Sequence, residues 1–103
     1  MSQFQKDVLN LLRKIPKGKV TTYKEIALAL DINSPRAVGQ ALKRNQQPHI
    51  FPCYKVIKSD GSIGGYDGSN PGKIKKKIML LKRDGIQIKN RKINLERYLF
   101  CLK

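Results

Sequence analysis

The stretch from Thr22 to Arg44, TYKEIALALDINSPRAVGQALKR, contains two short helical patterns separated by a tight turn. Thr22-x-x-Glu25 is a capping box, which marks the start of the first helix. Pro35 stands at the first position of the second helix, where proline is tolerated, and that helix is predicted to end near Arg44. Such a pair is typical of a helix-turn-helix, whose second helix normally enters the DNA major groove. We therefore predict a mainly α, winged helix-turn-helix-like DNA-binding domain with short strands.

The second of these helices carries the residues expected to face DNA. Its side chains there are either long and polar or small, namely Arg36, Gln40, Lys43, Arg44, Ala37 and Gly39. Glycine inside a helix costs about 1 kcal/mol relative to alanine, and small residues let a partner's backbone approach closely. A merely solvated basic face is the alternative interpretation, and the overall charge favours DNA.

That charge is strongly positive. Twenty-two Lys and Arg oppose seven Asp and Glu in 103 residues, giving a formal net charge of +15. An excess of this size indicates a polyanionic partner. No apolar run approaches the ~20 residues that span a bilayer, and the N-terminus lacks the pattern of a signal peptide. We therefore expect one domain over residues 1–103, cytoplasmic, monomeric and without a membrane partner.

The flanking segments give simpler patterns. Ser2-x-x-Gln5 is a second capping box and opens an apolar helical repeat that ends at Pro16. A later helix is predicted from Pro71 to a stop at Gly85, with its lysines interpreted as a solvated face: Lys73, Lys75, Lys76 and Lys77. The alternation in residues 86–88 predicts a strand, and residues 93–100 have no clear pattern.

The cysteine in FPCYKVI, residues 51–57, has several possible roles. A reducing cytosol disfavours a disulfide between Cys53 and Cys101, and His49 adds too little for a four-ligand zinc site. Cys101 is interpreted as a small apolar residue in or near the core. Taken alone, a cysteine such as Cys53 is more often a buried small residue than a nucleophile, although nearby cations such as Lys55 and Lys58 favour a thiolate.

Several motifs together resemble the active-site domain of the O6-alkylguanine-DNA alkyltransferases. The family signature of proline, cysteine, histidine, arginine and valine stands here as PCYKV, residues 52–56, and RAVG at residues 36–39 matches the recognition-helix motif. Asn45 lies eight residues before Cys53, where the family keeps an asparagine. Gly65-Tyr66 matches the pocket tyrosine, and residues 80–85, LLKRDG, resemble a closing LLxxEG. The resemblance covers about residues 4 to 86.

The resemblance implies a role for each matching residue. Cys53 is the acceptor of the alkyl group, and Asn45 braces the turn that carries it. Tyr23 and Arg36 rotate the damaged guanine out of the duplex, and Arg36 fills the vacated stack. The pocket for the flipped base is formed by Tyr23, Val56 and Tyr66, while Ala37, Gly39 and their helix neighbours lie against the groove and backbone.

The resemblance implies a stoichiometric reaction, in which each protein molecule accepts one alkyl group and does not turn over. A base inside the stack is out of reach, so the nucleotide has to leave the helix at a cost of a few kcal/mol. Attack on the alkyl carbon yields a thioether, which thiol exchange does not reverse. The expected partner is double-stranded DNA containing O6-alkylguanine, and no metal or other cofactor is expected.

Two positions depart from the family pattern. Tyr54 replaces the family's histidine, and Asp84 replaces its glutamate. Because a free histidine titrates near about 6.5 and a tyrosine near about 10, Tyr54 is the poorer base at neutral pH. Our hypothesis is that Tyr54 positions water or hydrogen-bonds the thiolate, and that nearby positive charge stabilises the ionised sulfur.

Two rival functions use the same fold. Alkyltransferase-like damage sensors bind alkylated guanine but carry another residue in place of the cysteine, so the presence of Cys53 favours transfer. A small winged helix-turn-helix transcription regulator explains the basic helix pair but not the set of Cys53, Asn45 and Tyr66. Since family members commonly carry an N-terminal domain, the chain is interpreted as a minimal version or a fragment of a longer protein.

Overall fold

A computed structural model describes residues 2–47, 49–63 and 71–102, with side chains from residue 74 onward in the last range. Its elements, in chain order, are α1 (Gln3–Leu12), β1 (Thr21–Thr22), α2 (Tyr23–Ala29), α3 (Pro35–Lys43), a 3-10 turn (Cys53–Lys55), β2 (Val56–Ile57), α4 (Pro71–Arg83) and α5 (Leu95–Tyr98). This mostly helical architecture with a short two-stranded sheet confirms the predicted fold class.

Three of the helices begin at a hydroxyl cap. The hydroxyl oxygens of Ser2, Thr22 and Ser34 each accept a hydrogen bond of 3.1 Å from the backbone amide three residues later. Each bond satisfies an amide that has no partner within its own helix. The two helix starts predicted from capping boxes are therefore present, and Pro35 occupies the first turn of α3.

Two hydrophobic cores meet at the small sheet. The first packs α1, α2 and α3 together, and the second packs α4 against the C-terminal segment. The strands β1 and β2 run parallel, with Thr21 opposite Val56 and Thr22 opposite Ile57. Val56 belongs to the first core and Ile57 to the second, because adjacent strand residues point to opposite faces. The cysteine-bearing turn directly precedes this strand.

The segment after α4 forms a tight hairpin rather than the predicted strand. Residues 86–88 pair with no strand, and the amide of Gln87 instead donates to the Tyr98 hydroxyl at 3.2 Å. The amides of Lys89 and Lys92 each donate to the other's carbonyl across a two-residue turn. Both turn residues, Asn90 and Arg91, have positive φ, as a type I′ turn requires. The alternation therefore reflects burial of Ile86 against the second core, without a ladder.

The C-terminal segment returns to the sheet and corrects one prediction. The amide of Phe100 donates to the carbonyl of Val20 at 2.7 Å, which aligns the chain end beside β1. Phe100 and Leu102 pack against the first core, so the intervening Cys101 points outward and is exposed. The prediction that Cys101 lies in or near the core is therefore wrong. Among the described residues, no helix has the length and apolar character that a membrane span needs.

Candidate functional site

The backbone around Cys53 is held by several hydrogen bonds. Its amide donates to the carbonyl of Phe51 at 2.8 Å, across Pro52. At the other end of the 3-10 turn, the amide of Val56 donates back to the carbonyl of Cys53. The side chain is half-buried against the first core and forms no disulfide. These hydrogen bonds give the Cys53 sulfur a defined position, and because the side chain is only half-buried the sulfur stays accessible to a substrate.

Asn45 connects the end of α3 to this turn. Its side-chain amide donates to the carbonyl of Phe51 at 2.8 Å, and its side-chain oxygen accepts from the amide of Gln47 at 3.0 Å. The Phe51 carbonyl therefore receives both Asn45 and the amide of Cys53. One amide side chain thus links the predicted recognition helix to the predicted nucleophile.

Tyr54 and Asp84 form a direct pair although they are thirty residues apart in sequence. The Tyr54 hydroxyl donates to the Asp84 carboxylate at 2.5 Å, and the Asp84 side chain is 2% exposed. Burial, together with this hydrogen bond, raises the pKa of Tyr54 to about 12. The phenol is therefore protonated at neutral pH, with its one proton directed at Asp84. A hydrogen bond from Tyr54 to the thiolate is not formed in this arrangement.

Lys77 is the site residue that the sequence analysis missed. Its ammonium group donates to the carbonyl of Val56 at 2.6 Å. Burial lowers the pKa of Lys77 to about 8, and a negative charge on Cys53 would act in the opposite direction. The interpretation of Lys77 as part of a solvated face is wrong. Its spacing from Ile74, Ile78 and Leu81 already places it on the apolar face of α4, and this was the available signal.

Lys55 lies close to Cys53 in sequence but points elsewhere. It is 7% exposed, and its ammonium group donates to the carbonyl of Ile15 at 2.9 Å. Burial lowers the pKa of Lys55, and Asp84 partly opposes that effect. This contact ties the cysteine turn to the chain that follows α1. Lys58, the other cation near Cys53 in sequence, is exposed.

The outer face of α3 presents the residues predicted for DNA contact. Four long side chains are exposed at helical spacing, while the smaller residues between them are half-buried: Arg36, Gln40, Lys43 and Arg44, with Ala37 and Gly39. Tyr23, at the start of α2, is half-buried, and its ring is 3.8 Å from the place where a Cβ on Gly39 would lie. The tyrosine and the glycine therefore share one surface between α2 and α3.

Two of the predicted pocket residues, Val56 and Tyr66, have different outcomes. The side chain of Val56 is fully buried in the first core. The group of Val56 that contributes to the site is its carbonyl, which accepts a hydrogen bond from Lys77. Tyr66, together with Gly65, lies outside the described residues. Among the residues that are described, no group of three or more histidine, cysteine or acidic side chains is placed to hold a metal ion.

Replacing Tyr54 by phenylalanine is expected to destabilise the fold. The variant leaves the buried Asp84 carboxylate without its only described hydrogen bond, which should lower the free energy of unfolding by about 1–3 kcal/mol. Because the folded state raises the pKa of Tyr54, the stabilisation is complete below pH 10 and is lost as the pH approaches about 12. Denaturant unfolding of both proteins at pH 7, 10 and 12 measures the difference, which should shrink over the last interval.

The same measurement in an Asp84→Asn background provides the control. There the difference between tyrosine and phenylalanine should be smaller at pH 7 and should lose most of its pH dependence. A difference that stays equal in both backgrounds would mean that Tyr54 stabilises the protein by packing alone.

These features define a class of protein. A capped helix-turn-helix with a basic outer face is linked through Asn45 to a half-buried cysteine on a fixed turn. This combination is a DNA-binding domain built around a candidate nucleophile. The model of the family described as 6-O-methylguanine DNA methyltransferase, DNA binding domain, matches residues 3–86. The chain belongs to this family.

Curated relatives and solved structures agree with this assignment. A bifunctional methyltransferase/endonuclease of Picrophilus torridus is 50% identical over 92 residues, which are 88% of this chain and 30% of the relative. A methylated-DNA--protein-cysteine methyltransferase of Methanothermobacter thermautotrophicus is 39% identical over 87 residues, covering 84% of this chain and 47% of the relative. The chain thus spans about a third to a half of the length of these relatives.

One solved structure matches this chain over nearly the full length of both chains. The structure of S. pombe Atl1 in complex with damaged DNA containing O6-carboxymethylguanine has a TM-score of 0.87 and 32% identity, covering 97% of this chain and 96% of that chain. The O6-methylguanine-DNA methyltransferase of Pyrococcus kodakaraensis has a TM-score of 0.70 and 40% identity, covering 84% and 48%.

Proposed function

We propose that this protein repairs O6-alkylguanine in double-stranded DNA by transferring the alkyl group irreversibly to Cys53. The observation that carries the proposal is the placement of Cys53 on a turn that Asn45 connects to the basic helix α3. A cysteine needed only for packing does not require this connection to a DNA-facing surface. The names of the relatives, methylated-DNA--protein-cysteine methyltransferases among them, support the same activity.

The proposed chemistry balances without a cofactor. The Cys53 thiolate attacks the alkyl carbon, a carbon–sulfur bond forms, and the bond between that carbon and the guanine oxygen breaks. The electron pair stays on the guanine, which takes up one proton, while the thiol has given up one proton beforehand. The thioether product has no leaving group that another thiol displaces under ordinary conditions, so each molecule acts once.

The proposed interface uses the surface between α2 and α3. Arg36 occupies the space that the flipped nucleotide leaves, and Tyr23 helps to rotate that nucleotide. Tyr66 and the backbone of Val56 belong to the proposed base pocket, and Tyr54 and Asp84 hold the turn that carries Cys53. Phosphate contacts from Gln40, Lys43 and Arg44 add affinity that decreases with salt.

Mass spectrometry tests the proposal directly. The protein is incubated with duplex DNA containing O6-methylguanine, and intact and peptide masses are then measured. A gain of one CH2 unit on the peptide containing Cys53, at up to one equivalent, is the expected result. Lesion-specific binding without this gain would overturn alkyl transfer and support a sensor, whereas equal binding to undamaged DNA would support a regulator.

A non-catalytic sensor of alkylated guanine is the second candidate function. The observation that favours it is the match to S. pombe Atl1 over nearly the full length of both chains, with Atl1 solved on damaged DNA. The presence of Cys53 on a fixed turn favours transfer over this alternative. The mass measurement separates the two.

Replacing Gly39 by alanine should move stability and DNA binding in opposite directions. The added methyl group meets the Tyr23 ring at an ordinary contact distance of 3.8 Å, and alanine favours the helix by up to about 1 kcal/mol. The same methyl group lies on the proposed DNA surface, where overpacking costs about 1–3 kcal/mol, so affinity should fall about fivefold or more. Thermal unfolding and DNA titration are the two measurements. A stabilised variant with unchanged affinity would place Gly39 outside the interface.

A further inference from the structure

The molecule has a second exposed basic surface, where the end of α4 meets the hairpin that follows it. Five lysines and arginines lie between residues 82 and 92, against one acid, Asp84, whose buried side chain is 3.5 Å from Arg83. All five are exposed and together form what we call the hairpin patch: Lys82, Arg83, Lys89, Arg91 and Lys92. Asp60 lies beside Lys92, because Ser62 bridges to that lysine. The two acids offset at most two of the five charges, so the hairpin patch keeps an excess of positive charge.

The chemistry of the hairpin patch favours a phosphate-bearing partner. Lys82 and Lys89 line an open groove of about 540 Å³ between the end of α4 and the start of the hairpin. Of the three large apolar side chains that are exposed in the described part of the chain, only Met79 lies nearby, one helical turn before Lys82. One methionine is too little for a membrane anchor or for the apolar centre of a protein interface. A partner at this surface therefore meets positive charge and little else.

Arg91 lies at the tip of the hairpin in a backbone conformation that favours glycine. Its φ is 59, and a two-residue turn of this type usually has glycine as its second residue, because glycine has no Cβ. The carbonyl of Arg91 accepts a hydrogen bond from the amide of Ile63 at 3.0 Å, which fixes the turn against the neighbouring loop. A cation kept at a strained position on a fixed tip indicates a binding role.

The hairpin patch and the outer face of α3 lie on opposite sides of the molecule. The helix α3 packs on the first core, whereas Ile86 and Ile93 of the hairpin segment pack on the second. These cores lie on opposite faces of β2, since the side chains of Val56 and Ile57 point to opposite faces. DNA is stiff over about 150 base pairs, so bending a duplex held on α3 around a molecule of 34 × 28 × 23 Å is costly. One duplex segment therefore does not contact both surfaces.

We propose that the hairpin patch binds the phosphate backbone of a second DNA duplex while α3 holds the first. The inference rests on the proposed function only in taking α3 as the first DNA surface. A protein with two such surfaces contacts a new segment before it releases the old one. Because phosphate contacts carry no sequence information, the hairpin patch is suited to moving the protein directly between segments during the search for a lesion.

The test measures how fast the protein leaves a fluorescent, undamaged duplex as unlabelled duplex is added at increasing concentration. Release through the free protein has a rate that does not depend on the competitor, whereas direct transfer through a second surface has a rate that rises with it. The parent protein should show this rise. Lys89→Gln combined with Arg91→Gly should reduce its slope about tenfold at physiological salt, because two phosphate contacts are lost. Glycine suits the backbone at position 91, so this variant should fold.

The matched control is Lys75→Gln combined with Lys76→Gln, which removes two exposed charges from the first half of α4. This variant should keep the slope of the parent. Lys82→Gln combined with Lys89→Gln leaves the turn unchanged and should lower the slope as the first variant does. The release rate without competitor depends on α3 and should stay at the parent value in all three variants.

Three results would overturn the inference. The first is a parent protein whose release rate is independent of the competitor. The second is an equal loss of slope in the hairpin variants and in the α4 control, because the effect would then come from net charge alone. The third is sedimentation with vesicles of phosphatidylcholine and phosphatidylserine that requires Lys89 and Arg91, while the slope in the DNA assay does not, because the partner would then be a membrane.

Methyl uptake from O6-methylguanine DNA separates this inference from the proposed function. The hairpin variants should take up methyl at the parent rate when DNA is saturating. A parent protein that takes up no methyl group, but whose competitor-dependent release requires the hairpin patch, would retain the second surface and lose the proposed alkyl transfer. Methyl uptake by a parent whose release is independent of the competitor would retain the alkyl transfer and overturn the second surface.

Discussion

We expect a Cys53→Ala variant to take up no methyl group from O6-methylguanine DNA, while its affinity for the lesion stays within a few-fold. Alanine has no nucleophilic group. The other two residues of the 3-10 turn, Tyr54 and Lys55, carry no thiol that could replace that of Cys53. The turn itself depends on backbone bonds and on Asn45, none of which involves the sulfur, so the fold should be retained. Intact mass after incubation, and titration with duplexes with and without the lesion, measure the two quantities.

The matched control is Cys101→Ala, which removes the other thiol of the chain. Because Cys101 is exposed and lies outside both cores, this variant should take up one methyl group at the parent rate. Methyl uptake by the Cys53→Ala protein would assign the acceptor to another residue. Loss of lesion affinity in that variant, with folding intact, would mean that the cysteine contributes to recognition as well as to chemistry.

Replacing Arg36 by alanine is expected to slow methyl transfer from duplex DNA by about 30-fold at saturating DNA. The proposed role of this side chain is to fill the stack after the guanine leaves, and that step costs a few kcal/mol. Losing about 2 kcal/mol of compensation corresponds to the stated factor. Single-turnover rates with duplex DNA and with the free base O6-methylguanine measure the effect. The reaction with the free base needs no flipping and should keep its rate.

Arg44→Ala is the control for charge on the same helix. Arg44 is exposed beyond the other end of α3 and loses an equal charge, so it should weaken binding and reduce its salt dependence. Its transfer rate at saturating DNA should equal that of the parent. If both variants slow transfer equally, Arg36 acts as one more phosphate contact and has no role in the stack.

The sequence predicted local structure well because its signals are local. The hydroxyl caps at Ser2 and Thr22 act within one helical turn, so residues three positions apart were sufficient to place both helix starts. The outer face of α3 follows from its spacing for the same reason. The role of Asn45 was predicted from a resemblance. The structure shows the two hydrogen bonds by which its side chain connects the end of α3 to the cysteine turn.

The parts that were missed depend on contacts between distant segments. The Tyr54–Asp84 pair joins the cysteine turn to the end of α4, and nothing in the neighbourhood of either residue indicates the other. Lys77 was misread because its neighbours are lysines too, although its position on the apolar face was visible. The prediction for Cys101 was wrong because the direction of its side chain depends on the pairing of the C-terminal segment with Val20, which is distant in sequence.

The short strand β2 has a consequence for how the molecule loses its structure. Val56 enters the first core and Ile57 the second, so two adjacent residues form a common wall. Opening either core uncovers one side of this wall, three or four residues from the sulfur. The turn that carries Cys53 leads directly into β2, so unfolding of either core removes packing contacts next to that turn. Unfolding of a core and loss of the defined position of Cys53 are therefore coupled. Variants that weaken a remote part of either core should therefore reduce the fraction of molecules able to react.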